Sequence, residues 1–536
     1  MQRFKYPLIL LLGVLIGMTV SNLLNKRAQT IQLNTFGSGS KIEQLLNYAD
    51  KVYVDTLDME KLTEDIMSDF IAELDPHSSY IPAKDLEIVN SQLEGSFSGI
   101  GVQFNIQNDT IMIVGVIRGG PSERVGILAG DRIVTVNDSV FVGDTINNEK
   151  VMHTLRGEKG TEVKIGIKRY GADELLDYTV VRGDIPITSV DVSYMITPEI
   201  GVIRVNKFGE TTYTEFLTGL AKLRNEGAKK YIIDLRENSG GYMDQAINMV
   251  NEFLEEGSLI VYSEGKSYPR YEAHANGRGS FQKVPLIVLQ DEFSASASEI
   301  FAGAMQDNDR ALIIGRRSFG KGLVQQQFPF SDGSAMRLTV ARYYTPAGRS
   351  IQKPYELGKG EDYEMDIVNR FMHGEFYTKD SIQFNDSTMF STKNGRRVYG
   401  GGGIMPDVFV ARDTLGGSVY LNNVVNKGLT YQFALQYTDQ HRAELNKMND
   451  WKAMNAHLDK QKLLNTFVEF ANEKGVKPNY KQIRTSEKII LNHLKSYIIR
   501  NILDDEGFFP MYFDTDNVMQ TAVKELQKID SCTIEN

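Results

Sequence analysis

Three serines that alternate with alanines offer a hydroxyl nucleophile. They are Ser294, Ser296 and Ser298, and they follow an apolar run that ends at Leu289. The pattern predicts a strand leading into a helix whose N-terminus favours developing negative charge. A structural role fits equally well, because serine is a preferred N-cap and Ser296 with Glu299 fits a capping box. This segment alone does not decide between the two roles.

A lysine between two glycines offers a general base. Lys321 lies between Gly320 and Gly322, just after an apolar run. A free lysine has a pKa of about 10.4 and is protonated at neutral pH, but burial can lower the value by about 3–5 units. In an extended segment Gln325 shares a face with Lys321, so its amide could orient the amine without adding charge. The alternative is an ordinary solvated loop lysine.

The same segment satisfies the G-x-x-x-x-G-K pattern of a phosphate-binding loop. Two observations disfavour a nucleotide site. The residue after Lys321 is Gly322 rather than the serine or threonine that holds magnesium, and residues 323–330 alternate like a strand where a helix is required.

A third segment ends in two glycines, Gly240 and Gly241, that open a predicted helix. Glycine lets backbone N–H groups approach a ligand closely, and a helix start concentrates unpaired donors. The pair could therefore line an oxyanion hole. A tight strand–helix turn without a ligand is the simpler interpretation of this segment alone. None of the seven histidines lies in these three segments, which favours the serine–lysine variant of nucleophilic catalysis.

The elements that must position these segments alternate between strand and helix, which predicts α/β layering around a largely parallel sheet. The predicted strands span residues 201–205, 231–235, 259–262, 285–289 and 311–314. The predicted helices span residues 213–226, 243–255 and 297–306. Residues 353–400 are charged and irregular, and they predict a surface excursion.

Pattern changes along the chain predict six regions. They are a signal-anchor segment at residues 1–24, a linker at 25–40, a helical region at 41–92, a β-rich domain at 93–185, the α/β core at 186–412 and a helical region at 413–536. In the last region Ile490, Leu494, Tyr497, Ile498 and Ile502 share one helix face.

The N-terminal segment has the composition of an export signal. Arg3 and Lys5 precede an apolar run, and no A-x-A cleavage site follows. The run approaches the roughly 20 residues that span a bilayer. We therefore expect an uncleaved anchor with its N-terminus in the cytoplasm and the rest of the chain exported.

Composition excludes several classes of protein. The chain has 536 residues, 41% hydrophobic and 24% charged, and a net charge of −10. No clustered basic face for nucleic acid is apparent. Its only cysteine, Cys532, cannot form an internal disulfide or a zinc cluster.

Six motifs, in chain order, resemble those of the C-terminal processing peptidases, also called tail-specific proteases. They are DPHSSY at residues 75–80, DLRENSGG at 234–241, SASASEI at 294–300, GKGLVQ at 320–325, YTPAGRSIQ at 344–352 and GIMPD at 403–407. The resemblance covers residues 41–408. It implies Ser296 as nucleophile, Lys321 as general base and Gln325 as the partner of the lysine, with neither metal nor cofactor.

The resemblance also implies the oxyanion donors and a peptide-binding loop. The donors are the backbone of Gly240 and Gly241 and the N–H of Ala297. The β-rich region is similar to a PDZ domain, whose loop N–H groups hold the C-terminal carboxylate of a peptide that adds as a strand. The matching residues are Ser98, Gly99, Ile100, Gly101 and Val102. The alternative is a β domain that only packs on the core.

We therefore expect a multidomain α/β protein: a crotonase-like α/β peptidase core, an inserted β-rich PDZ domain, and helical N- and C-terminal regions. The expected function is that of a serine endopeptidase of the bacterial cell envelope, on the periplasmic side and anchored in the inner membrane, acting on proteins bound by their C-termini. A non-catalytic membrane-anchored PDZ scaffold is the alternative. For the C-terminal region, structural support, a partner surface and assembly into a homo-oligomer all remain open.

Overall fold

The computed structural model describes residues 39–107, 109–117, 119–169, 171–382 and 388–533. The predicted membrane anchor at residues 1–24 and the predicted linker up to residue 38 lie outside the described residues. Within the described ranges, no helix combines the length and the apolar character needed to cross a bilayer. The chain divides into two compact units between Asp69 and Phe70.

The described part of the first unit is helical, as the sequence predicts. It holds helix α1 (Gly39–Val52) and most of helix α2 (Met59–Ala72). In α1, Ile42, Leu45 and Tyr48 are all exposed. Their spacing of three residues places them along one side of the helix.

The second unit begins with a short strand and a helix, followed by the predicted PDZ region. The strand and helix are β1 (Ser79–Ile81) and α3 (Ala83–Ser91). The β-rich region then contains β2 (Ser96–Gly99), β3 (Val102–Gln107), β4 (Thr110–Val116), α4 (Pro121–Arg124), β5 (Arg132–Val136), β6 (Ser139–Val140), α5 (Asn148–Leu155), β7 (Glu162–Lys168), β8 (Leu176–Val181) and β9 (Gly183–Pro186). Strands β3-β4-β5-β7-β8 form an antiparallel sheet, and β2 pairs with β9 at the two ends of the region.

Strands and helices alternate through the core, where the main sheet has the order β10-β11-β12-β15-β16-β21. Its strands are β10 (Val190–Met195), β11 (Ile200–Val205), β12 (Lys230–Asp234), β15 (Leu286–Gln290), β16 (Leu312–Gly315) and β21 (Val408–Phe409). The intervening helices are α6 (Thr212–Asn225), α7 (Met243–Asn251) and α8 (Ala297–Asp307). Every pair from β11 to β21 is parallel, which confirms the prediction for this sheet. Its central strands are almost wholly buried, as expected for a parallel sheet covered on both faces.

The core also contains a second sheet, which is antiparallel. The sequence pattern does not distinguish its strands from those of the parallel sheet. It has the order β1-β18-β13-β14, with β17 paired to β18. Its further strands are β13 (Leu259–Glu264), β14 (Tyr271–His274), β17 (Leu323–Pro329) and β18 (Ala335–Tyr344). The strand predicted at residues 259–262 therefore exists but belongs to this sheet.

The prediction of a surface excursion at residues 353–400 is wrong over its first part. Helix α9 (Gly360–Met372) forms there, and its Tyr363 and Arg370 are buried. Arg370 and Arg317 share the buried carboxylate of Glu375. Charged residues therefore enter the interior as ion pairs, which composition alone cannot distinguish from a solvated loop. A small hairpin follows, β19 (Met389–Ser391) and β20 (Arg397–Tyr399).

The C-terminal region is helical, as predicted. It contains α10 (Val419–Asn426), α11 (Leu429–Leu445), α12 (Trp451–Leu458), α13 (Leu463–Glu473), α14 (Tyr480–Tyr512) and α15 (Asn517–Thr533). Helix α14 is interrupted at Asp504, whose backbone is not helical. On the predicted apolar face Ile490, Leu494 and Ile498 are fully buried.

The last helix belongs to the core rather than to a separate bundle. Met519, Ala522 and Leu526 of α15 pack against Ile232 and Ile287 on one face of the parallel sheet. Helices α6, α7 and α8 pack on a separate apolar cluster with β11, β12 and β15. The sheet that positions the strand-end segments is thus covered in part by the end of the chain.

Candidate active site

A cleft of about 520 Å³ brings the three strand-end segments together. Its lining includes Ser296, Lys321, Gln325, Gly240 and Gly241. All but one of the predicted catalytic and oxyanion residues therefore meet at one place. The remaining one, Ala297, follows Ser296 in the chain and is fully buried.

The three serines have different surroundings. The Ser294 hydroxyl donates to the Leu235 carbonyl at 2.8 Å, and the Ser298 hydroxyl donates to the Asn238 carbonyl at 2.9 Å. Both side chains are buried and tie the helix start to the neighbouring strand end. Ser296 lines the cleft, and among the described residues its hydroxyl donates no hydrogen bond. Tertiary packing therefore distinguishes a residue that the alternating pattern leaves equivalent.

The backbone at Ser296 is strained. Its φ of 55° and ψ of −112° place a residue with a side chain where glycine is favoured. Such a conformation costs about 1–3 kcal/mol and persists when the surroundings hold it. Here the Ser296 N–H donates to Glu299 Oε2 at 2.9 Å, and the Tyr343 hydroxyl donates to the Ser296 carbonyl at 3.0 Å. A sharp turn between strand and helix of this kind exposes a serine hydroxyl.

One buried carboxylate joins the serine turn to the lysine loop. Besides the Ser296 N–H, the Glu299 carboxylate accepts from Ser318 Oγ at 2.5 Å, Gly320 N at 2.7 Å and Lys321 N at 2.9 Å. Burial raises the pKa of Glu299 to about 7, although these hydrogen bonds oppose the shift. The capping box predicted from Ser296 and Glu299 is thus part of a larger clamp that the sequence did not reveal.

Lys321 lies in the loop just before β17, and its amine reaches the predicted partner. Lys321 Nζ donates to Gln325 Oε1 at 2.8 Å. Burial lowers the pKa of the Lys321 amine, and the positive charge of Arg337 lowers it further. Asp75 and Glu299 oppose this shift in pKa. Within the described residues Lys321 Nζ makes no hydrogen bond to Ser296, so the two side chains face the same cleft without direct contact.

Folding brings one histidine near the lysine, at the motif of residues 75–80. The Gln325 amide N–H donates to the His77 carbonyl. The imidazole Nε2 of His77 lies 2.8 Å from the Tyr363 hydroxyl, and the ring does not line the cleft. Burial, followed by the charge of Lys321, lowers the pKa of His77 to about 4. This histidine is therefore neutral and holds Gln325 through its backbone.

Sequence reasoning assigned no role to several residues that support this arrangement. The Asp75 carboxylate accepts from the His77 and Ser78 N–H groups, both at 2.9 Å, which shapes the turn under Gln325. Tyr363 accepts from Gln352 Nε2 at 3.2 Å, and Gln352 Oε1 accepts from Gly322 N at 2.8 Å. Asp75 and Gln352 lie within the family-like motifs at residues 75–80 and 344–352, so the sequence could have indicated them. Tyr363 lies outside these motifs, in the segment predicted as a surface excursion.

The two glycines opposite Ser296 have positive φ angles, 101° at Gly240 and 143° at Gly241. A Cβ on Gly240 would lie 2.7 Å from Ser296 Cβ, so a larger residue is excluded there. The Gly240 N–H donates to Asn238 Oδ1 at 2.9 Å. In the part of the chain that the structure describes, the N–H groups of Gly241 and Ala297 have no partner. Of the three predicted oxyanion donors, these two are therefore the ones whose N–H groups are free in this conformation, among the described residues.

The β-rich region has its own cavity of about 260 Å³. Of the predicted loop residues, Ile100, Gly101 and Val102 line it, whereas Ser98 and Gly99 lie in β2 and do not. The other lining residues are Phe97, Gln103, Phe104, Val151, Met152, Leu155 and Arg156. The N–H groups of Ile100 and Gly101 make no hydrogen bond to any described residue. An apolar groove with free backbone donors at one end fits an extended peptide with a terminal carboxylate.

Potential metal ligands lie elsewhere. Among the described residues, Asp85, Glu149 and His153 form the one group whose ligand atoms approach within 4.8 Å of one another. None of the three lines the cleft of Ser296. Exposed acidic groups of this kind also occur without an ion, and here His153 Nε2 lies 3.8 Å from Asp85 Oδ1.

Replacing Ser296 with glycine should give a more stable protein than replacing it with alanine. Alanine retains the strain of a side chain at positive φ, whereas glycine relieves it but loses more backbone entropy on folding. We expect the free energy of unfolding of the glycine variant to be about 1 kcal/mol higher. Thermal unfolding of the two variants measures it. At Ser298, in the helix, the order should reverse, because glycine is about 1 kcal/mol worse than alanine there. The same order at both positions would contradict strain at Ser296.

Comparison with known protein families adds three matches along the chain. The model of Peptidase family S41 matches residues 199–365. The PDZ domain model matches residues 98–180. A model described as a family of unknown function (DUF8443) matches residues 420–504.

Individual proteins are similar over most of their length. A carboxy-terminal-processing protease of Bartonella bacilliformis is 35% identical over 344 residues, which are 63% of this chain and 78% of the relative. The carboxy-terminal processing protease CtpA of Bacillus subtilis is 32% identical over 66% of this chain and 76% of its own. A solved photosystem II D1 C-terminal processing protease is 24% identical, with a TM-score of 0.37 over 71% of this chain and 95% of that one. The chain therefore belongs to the carboxy-terminal processing proteases, serine-type peptidases of family S41 that carry a PDZ domain.

Proposed function

We propose that this protein is a serine endopeptidase that uses Ser296 as nucleophile and Lys321 as general base. The observation that carries the proposal is the difference among the three serines. Ser296 alone of the three lines the cleft, and a lysine whose pKa is lowered by burial lines the same cleft. If the protein were a non-catalytic scaffold, nothing would require a strained serine and a buried lysine amine to line the same cleft.

The proposed reaction is acyl transfer. Neutral Lys321 takes the proton from Ser296 Oγ as the oxygen attacks the scissile carbonyl, which forms a tetrahedral oxyanion. The C–N bond then breaks, and the Lys321 ammonium returns the proton to the leaving amine. Water next attacks the acyl-enzyme, again with Lys321 as base, and releases the new C-terminal acid. In this structure Lys321 Nζ donates a hydrogen bond to Gln325, so the amine must turn towards Ser296 when substrate binds. Catalytic hydrogen bonds often tighten only at that stage.

The neighbouring residues have distinct proposed roles. Gln325 accepts a hydrogen bond from the amine and directs its lone pair, and as a neutral amide it leaves the pKa of Lys321 low. The N–H groups of Gly241 and Ala297 receive the oxyanion. Gly240 can add a third donor if its N–H leaves Asn238. Preorganised donors of this type supply a large part of transition-state stabilisation in acyl transfer.

We propose that the PDZ domain selects substrates by their C-termini. The N–H groups of Ile100 and Gly101 receive the terminal carboxylate, and the cavity beside them takes an apolar last side chain. The cavity walls support this specificity, because they include Phe97, Val151 and Leu155.

Three further predictions belong to the same proposal. The parallel sheet with helices packed on its strands is consistent with a crotonase-like core. Arg3 and Lys5 before the apolar run support an anchor in the inner membrane with the catalytic part in the periplasm. Assembly into a homo-oligomer is consistent with the exposed apolar side of α1.

Substitution of the nucleophile tests the proposal most directly. The exported portion with Ser296→Ala should not cleave an unfolded protein with an apolar C-terminus, whereas wild type should. Loss of a catalytic nucleophile removes about 10⁴–10⁶ in kcat. Ser298→Ala is the matched control: it removes a neighbouring hydroxyl outside the cleft and should keep most of the activity. Equal cleavage by wild type and Ser296→Ala would reject the assignment.

The pH dependence tests the base. Only the neutral amine accepts a proton, so kcat/KM should rise with pH, with a slope of about one on the logarithmic plot while Lys321 deprotonates. Glu299, with a pKa of about 7, also loses its proton as pH rises, so the slope exceeds one only where the two titrations overlap. Lys321→Met keeps the size of the side chain without the amine and should be inactive at every pH. A wild-type rate in that variant, or a profile that falls with rising pH, contradicts the mechanism.

Peptide binding tests the PDZ assignment separately from catalysis. With Ser296→Ala protein, a fluorescent peptide that ends in an apolar residue should bind, as measured by anisotropy. Amidation of its C-terminus should weaken binding about 10–100-fold, because charge-assisted hydrogen bonds to backbone N–H groups contribute about 1.5–3 kcal/mol. A peptide ending in aspartate is the second comparison. Equal binding of all three peptides would leave only a packing role for this domain.

A further inference from the structure

The C-terminal helical region reaches the segment that carries the predicted oxyanion donors. Asp516 lies directly before helix α15, and both of its carboxylate oxygens accept from Arg236 Nη1 at 3.0 Å. Arg236 is buried and lies four residues before Gly240. A carboxylate from the end of the chain thus contacts a part of the core that borders the cleft.

Arg236 is held between two carboxylates from different regions. Asp234, at the end of β12, accepts from Arg236 Nε at 2.9 Å and Nη2 at 2.8 Å. The Phe513 ring lies 4.7 Å from the guanidinium. Burial by itself would lower the pKa of Arg236, but Asp234 and then Asp516 hold it well above its usual value. The guanidinium is therefore charged, and its orientation is determined on three sides.

The backbone that follows Arg236 needs such support. Glu237 has a φ of 62°, which is unfavourable for a residue with a side chain. Its N–H donates to Asp291 Oδ1 at 3.0 Å, and its carboxylate accepts from Arg204 at 2.7 Å. Arg204 in turn lies over the Phe513 ring at 5.5 Å. Two arginines that share one aromatic ring of the C-terminal region therefore flank the turn that leads to the donor glycines.

The position of Asp516 is itself fixed. Its Oδ1 accepts from the Met519 N–H at 2.7 Å, so it caps helix α15. That helix is packed on the parallel sheet, and the buried Lys230 Nζ donates to the Leu526 carbonyl at 2.8 Å. The carboxylate is held against the same sheet whose strand β12 ends at Asp234. It can therefore act as a fixed point for Arg236.

We propose that Asp516 is a positioning residue for the oxyanion hole, holding through Arg236 the turn that presents the Gly241 N–H. The inference rests on the proposed function, and it assigns a task to a region beyond the matched peptidase core. Asp516 touches neither substrate nor the reacting atoms. Its effect should appear in the transition state rather than in substrate binding, since the oxyanion exists only there.

The test is Asp516→Asn. Asparagine caps helices as well as aspartate, so α15 keeps its start while the charge facing Arg236 is removed. The matched control is Asp514→Asn, which changes an exposed carboxylate two residues earlier. Each protein is assayed for kcat and KM after active-site titration, and for Ki with a peptide boronate whose tetrahedral adduct on Ser296 places a charged oxygen in the oxyanion hole.

We expect Asp516→Asn to lower kcat about tenfold and to raise the boronate Ki by a similar factor. This is less than the roughly 100-fold loss that follows removal of an oxyanion donor, because the donor is displaced rather than deleted. KM and PDZ peptide binding should stay at wild-type values. Asp514→Asn should match wild type in every measurement.

Two results would overturn the inference. One is an Asp516→Asn protein with wild-type kcat and Ki. The other is an Asp516→Asn protein with fewer active sites by titration but a wild-type kcat per active site. That result would mean that Asp516 stabilises the fold without affecting the oxyanion hole. If wild-type cleavage does not depend on Ser296, the proposed function fails first and the inference falls with it.

Discussion

The site depends on one buried carboxylate. Glu299 accepts hydrogen bonds from the Ser296 turn and from the lysine loop at once, and it is fully buried. A buried carboxylate is costly unless its oxygens are satisfied, and four donors from two separate loops satisfy this one. The loops cannot move apart without leaving the carboxylate unpaired. The spacing between Ser296 and the Lys321 loop is therefore set by a residue that faces neither the cleft nor solvent.

In the proposed mechanism Lys321 can act as a base because, among the described residues, no carboxylate accepts a hydrogen bond from its amine. Its hydrogen-bond acceptor is an amide, Gln325, and burial lowers the pKa of the amine. A carboxylate in place of Gln325 would favour the ammonium and abolish the base. Gln325 is in turn held by the His77 carbonyl, from a loop far away in sequence. The PDZ region enters and leaves the chain through the paired strands β2 and β9, so its insertion does not interrupt this arrangement.

Two helices outside the predicted α/β pattern complete the core. Helix α15 covers part of one face of the parallel sheet, and Asp516 before it contacts Arg236 at the base of the glycine turn. Helix α9 contributes Tyr363, which joins His77 to Gln352. Periodicity predicted the C-terminal helices but could not show what they cover, since an apolar face is the same whether it meets a sheet or another helix. It missed α9 because buried ion pairs resemble a solvated loop in composition.

The sequence by itself determined the alternation of strands and helices. It also determined that Gly240, Ser296 and Lys321 each lie just after the end of a strand. These are local properties, since apolar runs and glycine spacing do not depend on distant contacts. The motif resemblance identified the candidate residues and the PDZ loop. Only the tertiary structure distinguished Ser296 from its two neighbours, gave Glu299 its four donors and brought His77 and Asp516 to their places. Those features depend on contacts between residues far apart in the chain, and no periodicity or spacing records them.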